Sequence, residues 1–170
     1  ERDGFRHLYH YEGGASRQLT RGDWEVVDLL GVAGNEAWVT TTHDSPLGRQ
    51  VFAVDLQSGS MRRITASGGT HAVALAPGGA FFLDAWQSLA KPLRQTLRNG
   101  RGEELAVVRE YKADGHDLRP VENLSFLAKD GTRLFAQLIK PKGFAAGKKY
   151  PALVVVYGGP HAQMVQDTWT

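Results

Sequence analysis

Gly34-Asn-Glu-Ala-Trp-Val39 returns 44 positions later as Gly78-Gly-Ala-Phe-Phe-Leu83, a glycine turn leading into an apolar run both times. Two further segments keep nearly the same spacing. Arg17-Gln-Leu-Thr20 reappears as Arg62-Arg-Ile-Thr65 at an offset of 45, and Val51-Phe-Ala-Val54 reappears as Gln95-Thr-Leu-Arg98 at 44. All-β chains give occasional chance offsets, but three agreeing segments argue for a true repeat. Glycine supplies 20 of the 170 residues, about 12% against an average near 7%. Many of these glycines punctuate stretches of β-branched and aromatic residues, the pattern of short strands joined by tight turns.

A period of roughly 40 to 50 residues built from four short strands is that of a β-propeller blade. One unit is expected to have strands over 24–30, 36–43, 50–56 and 61–65, and the next over 70–76, 80–86, 93–98 and 104–110. Only two strands, 5–11 and 16–20, precede them. A propeller ring closes with about four to eight blades, so two and a half blades do not close one.

The pattern changes after Glu110. Residues 111–120 are polar and irregular and read as a linker. Residues 121–128 and 132–139 read as a hairpin around Asp130-Gly131, whose positive φ angles suit a tight turn. A third strand is expected over 151–157. Its run Ala-Leu-Val-Val-Val-Tyr does not alternate, so it should be buried on both faces, as in an α/β sheet. The expected organisation is therefore mainly β: blades over 1–110, a linker over 111–120, and the first strands of a second, α/β domain over 121–170, cut off at Thr170.

Charge and composition exclude several functions. Twenty Lys and Arg against eighteen Asp and Glu leave a formal charge of +2 with the signs interleaved, which disfavours a nucleic-acid or anionic-membrane partner. Lys140, Lys142, Lys148 and Lys149 read as a solvated loop. The absence of cysteine removes disulfides, thiolate metal sites and a cysteine nucleophile. The longest apolar run, residues 152–157, is far short of the ~20 residues of a membrane span, and residues 1–11 do not read as a signal peptide. None of Ser16, Ser45, Ser58, Ser60, Ser67, Ser88 and Ser125 stands in the Gly-x-Ser-x-Gly nucleophile elbow. His7 and His10 are three apart, on opposite faces of a strand, and do not share a metal ion. His43, His71, His116 and His161 read as turn or rim residues. Gly158-Gly-Pro160 lacks the rest of a phosphate loop.

The stretch Lys149-Tyr-Pro-Ala-Leu-Val-Val-Val-Tyr-Gly-Gly-Pro-His-Ala-Gln163 resembles the start of the α/β-hydrolase domain in the prolyl-oligopeptidase superfamily, above all in dipeptidyl peptidase IV and its bacterial relatives. Gly4-Phe-Arg-His-Leu-Tyr9, the segment from Arg17-Gln-Leu-Thr20 to Trp24-Glu-Val26, and Asp44-Ser-Pro46 are similar to late propeller blades of that family. The resemblance implies an eight-bladed propeller followed by a hydrolase domain, and a serine exopeptidase releasing N-terminal X-Pro or X-Ala dipeptides. It implies that Tyr157 donates its hydroxyl to the oxyanion, with the Ser, Asp and His of the triad downstream of Thr170. Spacing alone reads Tyr157 as a core aromatic at a strand end. The resemblance further implies a peptide substrate, no cofactor, and a periplasmic or secreted compartment, while the strand edges and apolar faces left open by an incomplete propeller and sheet are expected to make the chain a homo-oligomer. An acylaminoacyl peptidase or oligopeptidase, which usually carries histidine at position 157, and a non-catalytic propeller binding module are the alternatives. The substrate-binding residues are not legible, and the chain by itself is expected to be inactive.

Overall fold

The structure, a computed structural model, describes residue 2 and residues 4–115, 117–159 and 162–169. The sequence readings at His116, Pro160 and His161 therefore lie outside the described residues. The chain divides into two units, Glu1–Lys112 with Asp167–Thr170, and Ala113–Gln166.

The first unit is a partial β-propeller. Its strands are β1 (Tyr9–Glu12), β2 (Ala15–Gln18), β3 (Val26–Ala33), β4 (Glu36–Thr41), β5 (Gln50–Asp55), β6 (Met61–Arg63), β7 (Thr70–Leu75), β8 (Phe81–Ser88), β9 (Lys91–Asn99) and β10 (Glu104–Glu110). They form a hairpin β1-β2 and two four-stranded antiparallel meanders, β3-β4-β5-β6 and β7-β8-β9-β10. Each meander is one blade, and the hairpin stands where the outer two strands of a preceding blade belong.

Glu-Ala-Trp-Val-Thr-Thr in β4 and Gln-Val-Phe-Ala-Val-Asp in β5 are rich in β-branched and aromatic residues, which suit a pleated surface. Both strands are buried almost throughout, because their sheet is covered on both sides. Alternation divides the side chains. Trp38, Val51 and Ala53 pack on Phe82 of the second blade, while Val39, Phe52 and Val54 pack with Leu19 and Leu8 of the first hairpin. Trp38 and Phe82 meet edge to face, with ring centroids 5.5 Å apart. β10, by contrast, is exposed along its whole length.

The repeat is visible atom by atom. Gly59 in the β5–β6 turn and Gly102 in the β9–β10 turn have φ of 77° and 90°, the left-handed region that glycine adopts without penalty. A Cβ at Gly59 would lie 2.8 Å from the Leu19 carbonyl oxygen, and one at Gly102 would lie 2.5 Å from that of Ile64. Leu19 and Ile64 belong to the two matching Arg-x-x-Thr segments. Each outer turn thus rests against the backbone of the preceding blade.

The second unit contains a hairpin, β11 (Val121–Leu127) and β12 (Arg133–Ile139), with Val121 opposite Ile139 and Leu127 opposite Arg133. Gly131 takes φ 87° in its turn, and the Asp130 carboxylate accepts the Thr132 N–H at 2.9 Å. The expected third strand differs. Residues 151–157 pair with no strand among the described residues, and Leu153 and Val154 are 90% and 81% exposed. A run without alternation is buried only when strands flank it and layers cover both faces. β11 and β12 pair only with each other, so the apolar character of the run has nothing to meet.

Candidate functional site

Tyr157 is the one residue that the sequence singles out for chemistry. It is 57% exposed, and among the described residues its hydroxyl has no hydrogen-bond partner. Gly158 follows in the left-handed conformation, φ 66°. A Cβ on Gly159 would stand 2.8 Å from ring atom Cε1 and 3.3 Å from the hydroxyl oxygen. The glycine pair therefore lets the chain turn back beneath the phenol, leaving the hydroxyl beside bare backbone.

A cavity of about 440 Å³ opens in the first unit, between the β4–β5 turn and the β6–β7 turn, with Asp167 on its rim. Its polar wall is already paired. The Asp44 carboxylate lies 3.3 Å from Arg63 Nε, Arg63 Nη2 donates to Gln50 Oε1 at 3.1 Å, and Gln50 Nε2 donates to the Gly69 carbonyl at 3.0 Å. His43 Nδ1 meets Asp44 at 2.7 Å, and its ring packs edge-on against Trp24, 5.0 Å between centroids.

His71 departs from its expected place at a rim. It is 4% exposed, with Nδ1 at 2.8 Å from Asp84 Oδ1 and Nε2 at 3.2 Å from the Ser67 carbonyl. The polar contacts continue outward through Arg98 Nε, 3.3 Å from Asp84, to Glu104, 3.2 Å from Arg98, and to Arg94, which forks onto Glu104 at 2.7 Å through both terminal nitrogens. This ladder runs across all four strands of the second blade. The Arg94 guanidinium holds the Glu104 carboxyl below its usual range, and Glu104 in turn raises Arg94. Asp84 was the available signal, since an acid in the apolar run Phe-Phe-Leu-Asp-Ala-Trp needs a buried partner.

His7 donates from Nε2 to the Gly22 carbonyl at 3.0 Å and meets the Thr20 hydroxyl at 3.2 Å through Nδ1. No three His, Asp or Glu side chains among the described residues gather to hold a metal ion. Nor is any described helix long and apolar enough to cross a membrane.

Two blades stacked face to face, with the outer hairpin of a third, define a β-propeller protein. The profile of the dipeptidyl peptidase IV N-terminal region matches residues 1–93. The chain belongs to that family. Among curated proteins it is 28% identical over 169 residues to dipeptidyl peptidase 8 of Mus musculus, covering 88% of this chain and 19% of that protein. It is 32% identical over 165 residues to a probable dipeptidyl-aminopeptidase B of Chaetomium globosum, covering 89% and 18%. The crystal structure of Porphyromonas gingivalis dipeptidyl peptidase 4 superposes with a TM-score of 0.92 at 28% identity, over 100% of this chain and 25% of that one. The chain thus spans about a fifth of the length of the curated relatives it matches.

Proposed function

We propose that this chain is part of a serine exopeptidase that removes N-terminal X-Pro or X-Ala dipeptides from peptides. Residues 1–110 supply late propeller blades, 111–120 a linker, and 121–170 the beginning of an α/β-hydrolase domain. In acyl transfer a serine hydroxyl attacks the scissile carbonyl, whose oxygen becomes an oxyanion. The Tyr157 hydroxyl donates a hydrogen bond to that oxygen.

The observation that carries the reading is the state of Tyr157. It ends an apolar run, a glycine pair holds backbone beneath its ring, and its hydroxyl is exposed without a partner among the described residues. The likeness of the chain to dipeptidyl peptidases along 88% of its length supports the same reading. No described serine occupies a nucleophile elbow, so the 170-residue chain supplies a donor and not a nucleophile.

Two assays test this. The full-length protein should release the dipeptide from chromogenic Gly-Pro and Ala-Ala substrates and leave N-acylated peptides intact. The isolated chain should show neither turnover nor stoichiometric labelling by a fluorophosphonate. Preferential cleavage of acylated peptides would assign it instead to the acylaminoacyl-peptidase class.

A further inference from the structure

We propose that Asn99 is a modification site that the fold keeps closed: its side chain deamidates through the Gly100 nitrogen when the turn between β9 and β10 opens, and the carboxylate that results holds that turn open. Asn99-Gly100 is the only Asn-Gly pair in the sequence. The reaction consumes water alone. The Gly100 backbone nitrogen, its proton taken by solvent, bonds to Asn99 Cγ. The Cγ–Nδ2 bond breaks and ammonia leaves, and water then opens the five-membered imide to aspartate or isoaspartate. A glycine after the asparagine presents no Cβ to obstruct that approach.

In the folded turn each reacting group is already engaged. The Gly100 N–H donates to the Ala80 carbonyl at 2.8 Å. Asn99 Oδ1 accepts the N–H groups of Arg101 and Glu103 at 3.0 Å each, and Nδ2 donates to Glu103 Oε2 at 2.6 Å. Donors on Oδ1 favour the charge that develops there, so the contact that withholds reaction is the one on the Gly100 nitrogen. A Cβ on Gly100 would lie 2.4 Å from the Gly79 carbonyl oxygen. This backbone therefore rests against the turn before β8, and the nitrogen reaches the side chain by leaving it.

The preceding blade shows why the product does not fit. Asp55 occupies the matching place, and donors surround its carboxylate: the Ser58 N–H and hydroxyl at 2.6 and 2.8 Å, and Asn35 Nδ2 at 2.7 Å. Asn99 instead directs its Nδ2 at a carboxylate. Conversion to aspartate replaces that donor with an oxygen facing Glu103, so two like charges meet where a hydrogen bond stood. Isoaspartate lengthens the main chain by one carbon and displaces the donors of Arg101 and Glu103. Opening there also frees Gly102, whose approach to the Ile64 carbonyl seats this turn on the preceding blade.

The test incubates the full-length protein at mildly alkaline pH, folded and in an unfolding concentration of urea, and reads deamidation at Asn99 from peptide masses. The folded protein should react at least about tenfold more slowly, since reaction waits on local opening. Urea unfolding followed by tryptophan fluorescence should place the midpoint of Asn99→Asp below that of wild type. The double variant Asn99→Asp/Glu103→Gln, which removes the like charge, should recover most of the loss.

Equal rates in the folded and unfolded protein, or no reaction in the unfolded one, overturn the closed site. A wild-type midpoint for Asn99→Asp overturns the effect of the product on the turn. A double variant no more stable than Asn99→Asp overturns the part given to Glu103.

Discussion

Thr20 and Thr65 do the same work in successive repeats. The hydroxyl of Thr20 accepts the Leu8 N–H at 2.9 Å, and that of Thr65 accepts the Val51 N–H at 3.0 Å. The second contact of each hydroxyl matches as well: Thr20 meets the His7 ring at 3.2 Å, and Thr65 donates to Gln50 Oε1 at 2.8 Å. His7 and Gln50 each immediately precede the residue whose N–H is held. Both threonines are buried. Thr65→Val should therefore leave the Val51 N–H unsatisfied and destabilise the fold by about 1–3 kcal/mol. Thr65→Ser, which keeps the oxygen, should lose less than half of that in urea unfolding followed by tryptophan fluorescence. Equal losses would mean that methyl packing, rather than the hydrogen bond, is the contribution.

Gly59, Gly102 and Gly78 all have positive φ, 77°, 90° and 77°, but only the first two touch a backbone carbonyl of the preceding blade. Around Gly78 an added Cβ meets nothing within 4 Å. Gly78→Ala should cost about 1 kcal/mol from the strained conformation alone. Gly102→Ala should cost at least ~2 kcal/mol more, because its clash is with backbone rather than a movable side chain. Similar unfolding midpoints for the two variants would contradict the close approach of the blades at that turn.

The Asp55 carboxyl is held below its usual range first by the Ser58 N–H and then by the Ser58 hydroxyl, with Asn35 and Gln57 adding to it. A depressed folded pKa contributes stability that is present above the unfolded value, near 3.8, and is lost as pH falls through the folded one. Asn99 closes the equivalent turn of the second blade, its Oδ1 accepting the Arg101 and Glu103 N–H groups at 3.0 Å each. Asp55→Asn should accordingly hold the turn at neutral pH while flattening the dependence of stability on pH below about 4. An unchanged acid limb would remove Asp55 from that dependence.

His71→Ala takes away the main partner of a carboxylate that is 1% exposed. Breaking a buried pair from one side costs roughly 3–5 kcal/mol, so this variant should unfold at much lower urea than wild type. Asp84→Asn, which leaves His71 an acceptor, should cost less. If His71→Ala and Asp84→Asn unfold together near the wild-type midpoint, the polar ladder across β7 to β10 contributes nothing to the blade.

Much of the blade architecture was legible because two signals coincide in it. Strand boundaries follow from runs of β-branched and aromatic residues, and the offset of 44 to 45 fixes which strands correspond. The residues that sequence reasoning placed otherwise depend on information that no local pattern carries. His71 stands at the start of an expected strand, but only the pairing of that strand with the next brings its ring to Asp84. Asp167 finds its partner 78 positions away, across the fold. The run over 151–157 has the composition of a doubly buried strand, but burial belongs to the neighbours as much as to the run. Among the described residues those neighbours are absent.

The role proposed for the Tyr157 hydroxyl is to stabilise an oxyanion in a dipeptidyl peptidase. Its most direct test is the steady-state kinetics of Tyr157→Phe in the full-length protein with a chromogenic Gly-Pro substrate. One preorganised donor contributes about 3 kcal/mol, or roughly 10²- to 10³-fold in kcat. Because that contribution is made in the transition state, KM should change little. A kcat equal to that of wild type would contradict the account.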